Sequence, residues 1–158
     1  EKVFTFPENV SSYDGKSYPA NVIEYSPNGE YIAAAYLKEV IIFTKTGTIY
    51  SRIKFASCEA LSWSADSQFV VIGGGRYNKP QITIYDIKSK NIKRVLKMQG
   101  DKLERMSYSL NGKIATECTD SSDILIWNAM TGEKIKTLSP ELSSFFCFCF
   151  RLNHFKQN

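Results

Sequence analysis

The sequence predicts an all-β chain made of four-stranded antiparallel sheets, and three observations lead there. The aromatic residues Phe43, Tyr85 and Trp127 each close a short apolar run and stand 42 residues apart. A fixed period near 40 residues marks a repeat architecture, in which each unit hides its apolar surface only against a neighbour. Each run then passes through a turn into a second extended run, most plainly at Asp123-Ile124-Leu125-Ile126-Trp127-Asn128, the turn at Thr131-Gly132, and residues 133–138. Finally, Asn28-Gly29 and Asn111-Gly112 place residues that tolerate positive φ between short apolar segments, as a tight hairpin requires.

Along the chain, residues 3–6 alternate and stop at Pro7, which lacks a ladder donor, so they read as a short strand at an edge or start. Residues 8–19 carry Pro, Gly, Asn, Asp and several Ser and read as a loop. The first full repeat has strands at 22–25, 31–36, 40–43 and 48–53. Its three alanines, Ala33, Ala34 and Ala35, point to close packing against a neighbouring sheet. The second has strands at 61–63, 69–72, 82–85 and 92–96, with a break at Gly73-Gly74-Gly75 that reads as an inter-strand loop. The third has strands at 105–108 and 114–116, then the hairpin from Asp123 to Leu138. Tyr25, Trp63 and Tyr108 close the first strands at intervals of 38 and 45, so connections vary in length while strands hold. Phe150 lies 42 residues after Tyr108, and residues 145–150 read as the opening strand of a fourth repeat. The expected division is therefore 1–20, 21–57, 58–100, 101–140 and 141–158.

With 43% hydrophobic residues in 158, the chain has enough apolar surface for a substantial core. Twenty basic residues against sixteen acidic ones give +4, with both signs scattered as on a solvated surface. Cys58, Cys118, Cys147 and Cys149 form no Cys-x-x-Cys pair, and the single histidine, His154, offers no cluster of ligands. Zinc and a disulfide framework are both poorly supported, and reduced, buried thiols in an intracellular protein are the expectation. No apolar run approaches the roughly 20 residues of a membrane span, and no signal-peptide pattern opens the chain. Asn9-Val10-Ser11 matches a glycosylation sequon, a motif common by chance.

Four-stranded repeats of this length that close on an aromatic plus a small polar or acidic residue resemble the WD-repeat β-propellers. Trp127-Asn128 and Tyr85-Asp86 occupy the position of that family's Trp-Asp pair, and Phe43-Thr44 is a more distant version. Ser26-Pro27-Asn28-Gly29-Glu30-Tyr31-Ile32-Ala33 looks like the family's first hairpin, and Trp127 to Leu138 like its last. The family often opens a repeat with Gly-His, whose imidazole joins an Asp and the strand Trp. No repeat here supplies that His, although Asp120 or Asp123 stands near the Asp position. The resemblance implies three complete propeller blades plus the start of a fourth, part of a larger propeller that needs further blades or a partner to close.

Candidate sites follow from these expectations. One histidine cannot furnish a nucleophile–base–orienter set around several sites, and the Gly-rich stretch lacks the Gly-Lys-Ser and helix of a phosphate cradle. Arg76, Tyr77, Asn78 and Lys79 combine residue types enriched at binding hot spots on what reads as the longest excursion between two strands. In the resemblance, connections between second and third strands lie on the face that most often receives partners. Residues 37–39 and 117–123 would join Arg76 to Lys79 there. The basic stretch 88–94 falls instead on the peripheral turn between third and fourth strands, without interleaved aromatics for a nucleic-acid surface.

The favoured function is a non-enzymatic scaffold that docks proteins or peptides on its loops, without cofactor, metal or small-molecule substrate. The alternatives are the propeller part of a larger enzyme such as a propeller-gated peptidase, or an RNA- or ribosome-associated propeller as in translation initiation. The expected compartment is intracellular, the cytoplasm over the nucleus.

Overall fold

The computed structural model describes residues 12–13, 16–17, 19–76, 79–98, 102–119 and 121–140. Within them the chain forms fourteen strands. Two short ones, β1 (Ser12–Tyr13) and β2 (Lys16–Ser17), pair with each other inside the segment the sequence reads as a loop. The remaining twelve fall into three antiparallel sheets. The first holds β3 (Val22–Tyr25), β4 (Tyr31–Ala35), β5 (Glu39–Thr44) and β6 (Ile49–Lys54). The second holds β7 (Cys58–Trp63), β8 (Phe69–Arg76), β9 (Lys79–Asp86) and β10 (Asn91–Lys97). The third holds β11 (Leu103–Tyr108), β12 (Lys113–Cys118), β13 (Ser121–Asn128) and β14 (Lys134–Leu138). In each sheet the spatial order follows the chain, because antiparallel neighbours need only a tight turn between them. The expected strands at 3–6 and 145–150 lie outside the described residues.

The first turn of every sheet is built the same way. Ser26 Oγ donates to Asn28 Oδ1 (2.8 Å) and accepts from Tyr31 N–H (2.9 Å). Ser64 Oγ does so with Asp66 Oδ1 (2.6 Å) and Phe69 N–H (2.9 Å), and Ser109 Oγ with Asn111 Oδ1 (2.7 Å) and Lys113 N–H (2.9 Å). A serine followed two residues later by Asn or Asp thus bridges the turn with side chains, which favours the hairpin over continued extension.

Gly73-Gly74-Gly75 is no break: β8 runs through it, with Gly73 opposite Ile82, Gly74 opposite Gln81, Gly75 opposite Pro80 and Arg76 opposite Lys79. A Cβ on Gly74 would stand 2.1 Å from the Ser57 carbonyl oxygen, and one on Gly75 would stand 2.5 Å from that of Lys79. Gly74 and Gly75 are there because backbones approach too closely for any side chain, whereas a Cβ on Gly73 would meet the side chains of Leu103 and Met106 of the third sheet.

Strand alternation turns two faces of the middle sheet toward two neighbours. On one side Leu61, Trp63, Val70, Ile72 and Tyr85 pack against Ala33, Ala35, Val40, Ile42 and Ile53 of the first sheet. On the other, Val71, Ile82, Ile84 and Leu96 pack against Leu103, Ile114 and Trp127 of the third. The alanines of β4 divide between faces, Ala33 and Ala35 toward the second sheet, and Ala34 with Tyr36, Ile41 and Phe43 in a cluster on the opposite side.

Candidate functional site

Connections between second and third strands gather at one end of the molecule with the links from sheet to sheet. Backbone hydrogen bonds stitch them together: Phe55 N–H to Lys38 O (3.0 Å), Ser57 N–H to Leu37 O (3.0 Å), Gly75 N–H to Ser57 O (3.1 Å) and Thr119 N–H to Lys102 O (3.0 Å). This end carries three ion pairs, Arg52–Glu39 at 2.8 Å, Lys102–Glu59 at 3.2 Å and Arg105–Glu117 at 3.6 Å. Such exposed pairs hold side chains in place more than they stabilise the fold.

The predicted site sits at the tip of the β8–β9 hairpin. It is a ribbon rather than a long loop: Arg76 and Lys79 are paired across the ladder, with only residues 77 and 78 between them. In the third sheet the equivalent ladder ends at Cys118–Ser121, so the pairs Gly75–Pro80 and Arg76–Lys79 extend the middle hairpin beyond its counterpart. Lys79 is exposed and Pro80 buried, while Tyr77 and Asn78 lie outside the described residues. Of the two companion connections, the first presents Leu37, 40% exposed, and the third includes Thr119, also exposed.

The opposite end explains the aromatic–polar pairs. Asp86 Oδ1 accepts from Ser89 N–H at 2.9 Å, and that bond holds its carboxyl below the usual range. Asn128 Oδ1 accepts from Met130 N–H (2.9 Å) and Thr131 N–H (3.0 Å), and Thr44 Oγ1 accepts from Thr48 N–H (3.3 Å). The small polar residue after each aromatic therefore closes the turn between third and fourth strands. The aromatics use their polar tips elsewhere: Trp127 Nε1–H donates to Thr116 Oγ1 at 2.9 Å, and the Tyr85 and Ser51 hydroxyls bond at 2.6 Å across two sheets. Asp123 N–H donates to Ser121 Oγ (3.0 Å), and Asp120 lies outside the described residues.

Sequence reading missed the residues that bridge sheets. Ser67 and Lys90 adopt positive φ, 60° and 56°, where the other repeats place Gly29, Gly112, Gly47 and Gly132. Each uses its side chain on the first sheet: Ser67 Oγ accepts from Asn28 N–H (3.1 Å), and Lys90 Nζ donates to Tyr50 O (3.1 Å) and lies 4.0 Å from the Tyr50 ring centroid. The missing glycine at a repeat position was the signal. Lys93 likewise covers the Phe69 ring at 4.5 Å, so aromatics do accompany the basic stretch, as packing partners.

Burial sets the acid–base character. It pushes the Cys58 thiol up to about 12, which keeps it protonated and unreactive, and Cys118 is buried as well. It also raises the Glu24 carboxyl to about 7. Cys147, Cys149 and His154 lie outside the described residues. Among the described residues, no helix is long and apolar enough to cross a membrane.

No protein-family model and no curated protein matches the chain. Solved structures do. The crystal structure of RRP9 WD40 repeats superposes with a TM-score of 0.69 at 15% identity, over 79% of this chain. The structure of U3-55K gives 0.70 at 14% identity over 81% of this chain. The fold is that of the WD-repeat β-propellers. The Cps50 (Swd1) β-propeller domain of Myceliophteria thermophila agrees, with a TM-score of 0.61 at 12% identity over 72% of this chain. The chain covers 40%, 41% and 36% of these three structures, and its three sheets are propeller blades.

Proposed function

We propose that the protein is a non-enzymatic scaffold that docks other proteins or peptides at the end bearing the β8–β9 hairpin, through Arg76, Tyr77, Asn78 and Lys79. One observation carries the reading: the middle hairpin alone extends past the third blade's by the pairs Gly75–Pro80 and Arg76–Lys79, over a base fastened by Gly75 N–H to Ser57 O. A ladder-paired ribbon presents its tip with less ordering cost on binding than a free loop of the same length. Exposed Lys79 supplies a cation there, and an Arg followed by a Tyr in sequence is a frequent anchor pair at interfaces. In this reading the loops take protein partners inside the cell, without a small-molecule substrate.

The test is a pull-down with the full-length protein, comparing wild type with Arg76→Ala/Tyr77→Ala. The variant is expected to retain its melting temperature and to lose partners, with affinity lowered by about 1–2 kcal/mol or more per truncated side chain. An unchanged set of partners rejects the surface.

A further inference from the structure

Serine is followed by proline at two places, Ser26-Pro27 and Ser139-Pro140, and the fold treats them oppositely. Ser26 is 2% exposed, and its hydroxyl is spent inside the first blade, donating to Asn28 Oδ1 at 2.8 Å and accepting from Tyr31 N–H at 2.9 Å. Ser139 and Pro140 are both exposed, just past the last pair of the third blade, Ile124–Leu138, and Ser139 Oγ has no hydrogen-bond partner among the described residues. That exposure belongs to the place in the blade. Lys54 follows the pair Val40–Ile53 and Lys97 follows Ile82–Leu96, as Ser139 follows Ile124–Leu138. Both lysines are exposed, although a further blade packs beside each of theirs.

We propose that Ser139 is a phosphorylation site for a proline-directed protein kinase, and that its phosphate loosens the end of β14. Such a kinase transfers the γ-phosphoryl group of ATP: the Ser139 oxygen bonds to the γ-phosphorus as the bond to ADP breaks, and the hydroxyl proton passes to the kinase's catalytic carboxylate. The acceptor has to lie extended with its oxygen free, and a proline after it brings no N–H that needs a partner. Ser139 meets these terms, because it follows an edge strand that pairs with β13 alone among the described residues and whose five residues are all exposed. Ser26 does not, since its carbonyl also accepts from Gly29 N–H at 2.8 Å and holds the residue in a closed turn. The effect of the phosphate follows from register. Continuing the pairs Leu125–Thr137 and Ile124–Leu138 by one step sets Ser139 opposite Asp123. The corresponding pair in the first blade is Lys54 opposite Glu39, which attract, and in the second Lys97 opposite Gln81. A phosphate on Ser139 sets about −1.5 to −2 charges against the Asp123 carboxylate, and like charges directly opposite destabilise a ladder. Alternation puts Lys136, the nearest lysine of β14, on the other face of the strand, where it does not screen that pair.

The test incubates the full, folded chain with ATP, Mg²⁺ and a mitogen-activated protein kinase, and maps the product by mass spectrometry. One phosphate is expected, on Ser139; Ser139→Ala, with unchanged melting temperature, is expected to take none, and Ser139→Thr to restore labelling. Hydrogen exchange of the phosphorylated chain is then expected to be about two- to five-fold faster in β14 and the start of β13, and Asp123→Asn to remove most of that gain. An unlabelled folded chain, Ser26 labelled as readily as Ser139, or full labelling of Ser139→Ala would overturn the site. Exchange unchanged by the phosphate, or quickened equally in Asp123→Asn, would overturn the loosening.

Discussion

Glu24 shows what burial does to one ionisable group. Val22 packs on the core shared by the first two blades, and the period of two puts Glu24 on the same side of β3, beside Trp63, whose indole N–H donates to the Glu24 carbonyl at 3.3 Å. Desolvation raises the carboxyl from 4.5 to about 7. The folded state therefore keeps a proton that the unfolded chain has lost. Stability is fullest below about 4.5, falls as pH rises through about 7, and is level above it. The urea midpoint of wild type is expected to drop across that window, whereas Glu24→Gln holds its midpoint and is the more stable protein at pH 8. Parallel pH profiles for the two proteins would refute the assignment.

The strand β8 shows how a tertiary approach can dictate a run of identical residues. Gly74 has φ of 151° and no space for a Cβ, since the Ser57 carbonyl oxygen would stand 2.1 Å away, whereas a Cβ on Gly29 would meet nothing within 4 Å. Gly29, with φ of 72°, is held only by its left-handed turn conformation. Gly74→Ala is thus expected to cost more than about 2 kcal/mol, from strain and overpacking together, and Gly29→Ala about 1–2 kcal/mol from backbone conformation alone. Urea unfolding of the two variants measures both, and equal losses would mean that β8 does not approach Ser57 this closely. The second blade's turns follow the complementary rule. Ser67 and Lys90 hold left-handed conformations that glycine would accept more readily, and each side chain reaches the first blade instead.

Taken together, the blades form a row in which the second shares one core with the first and another with the third. Stability in such a row is close to a sum of blade terms and nearest-neighbour interface terms. Trp127, 8% exposed and bonded to Thr116, sits in the second of these cores. Trp127→Ala is expected to cost about 3–5 kcal/mol. Hydrogen exchange should show the loss of protection concentrated in β11 to β14 and smallest in β3 to β6. A uniform loss across all three blades would show a single cooperative unit instead.

Strand order, the turns at Asn28-Gly29 and Asn111-Gly112 and the 42-residue aromatic period were legible in the sequence, because each is decided by chemistry within a few residues. Asn28-Gly29 turns the chain whatever lies nearby, and Trp127 closes an apolar run long enough to be a strand in any antiparallel sheet. The candidate site was legible only as a choice of residue types: Arg76 and Lys79 were picked out as loop residues, and the ladder makes them the last pair of a hairpin. The glycine run could not be read as strand, since Gly74 answers to the Ser57 carbonyl seventeen residues earlier and Gly73 to Leu103 thirty residues later. Nor could the Tyr85–Ser51 bond or the seat of Lys90 on Tyr50 be read from sequence, because each joins residues more than thirty positions apart. Local propensity and turn chemistry determined the blades. Which backbones come within contact of one another and which carboxylate is desolvated were decided only when the blades packed.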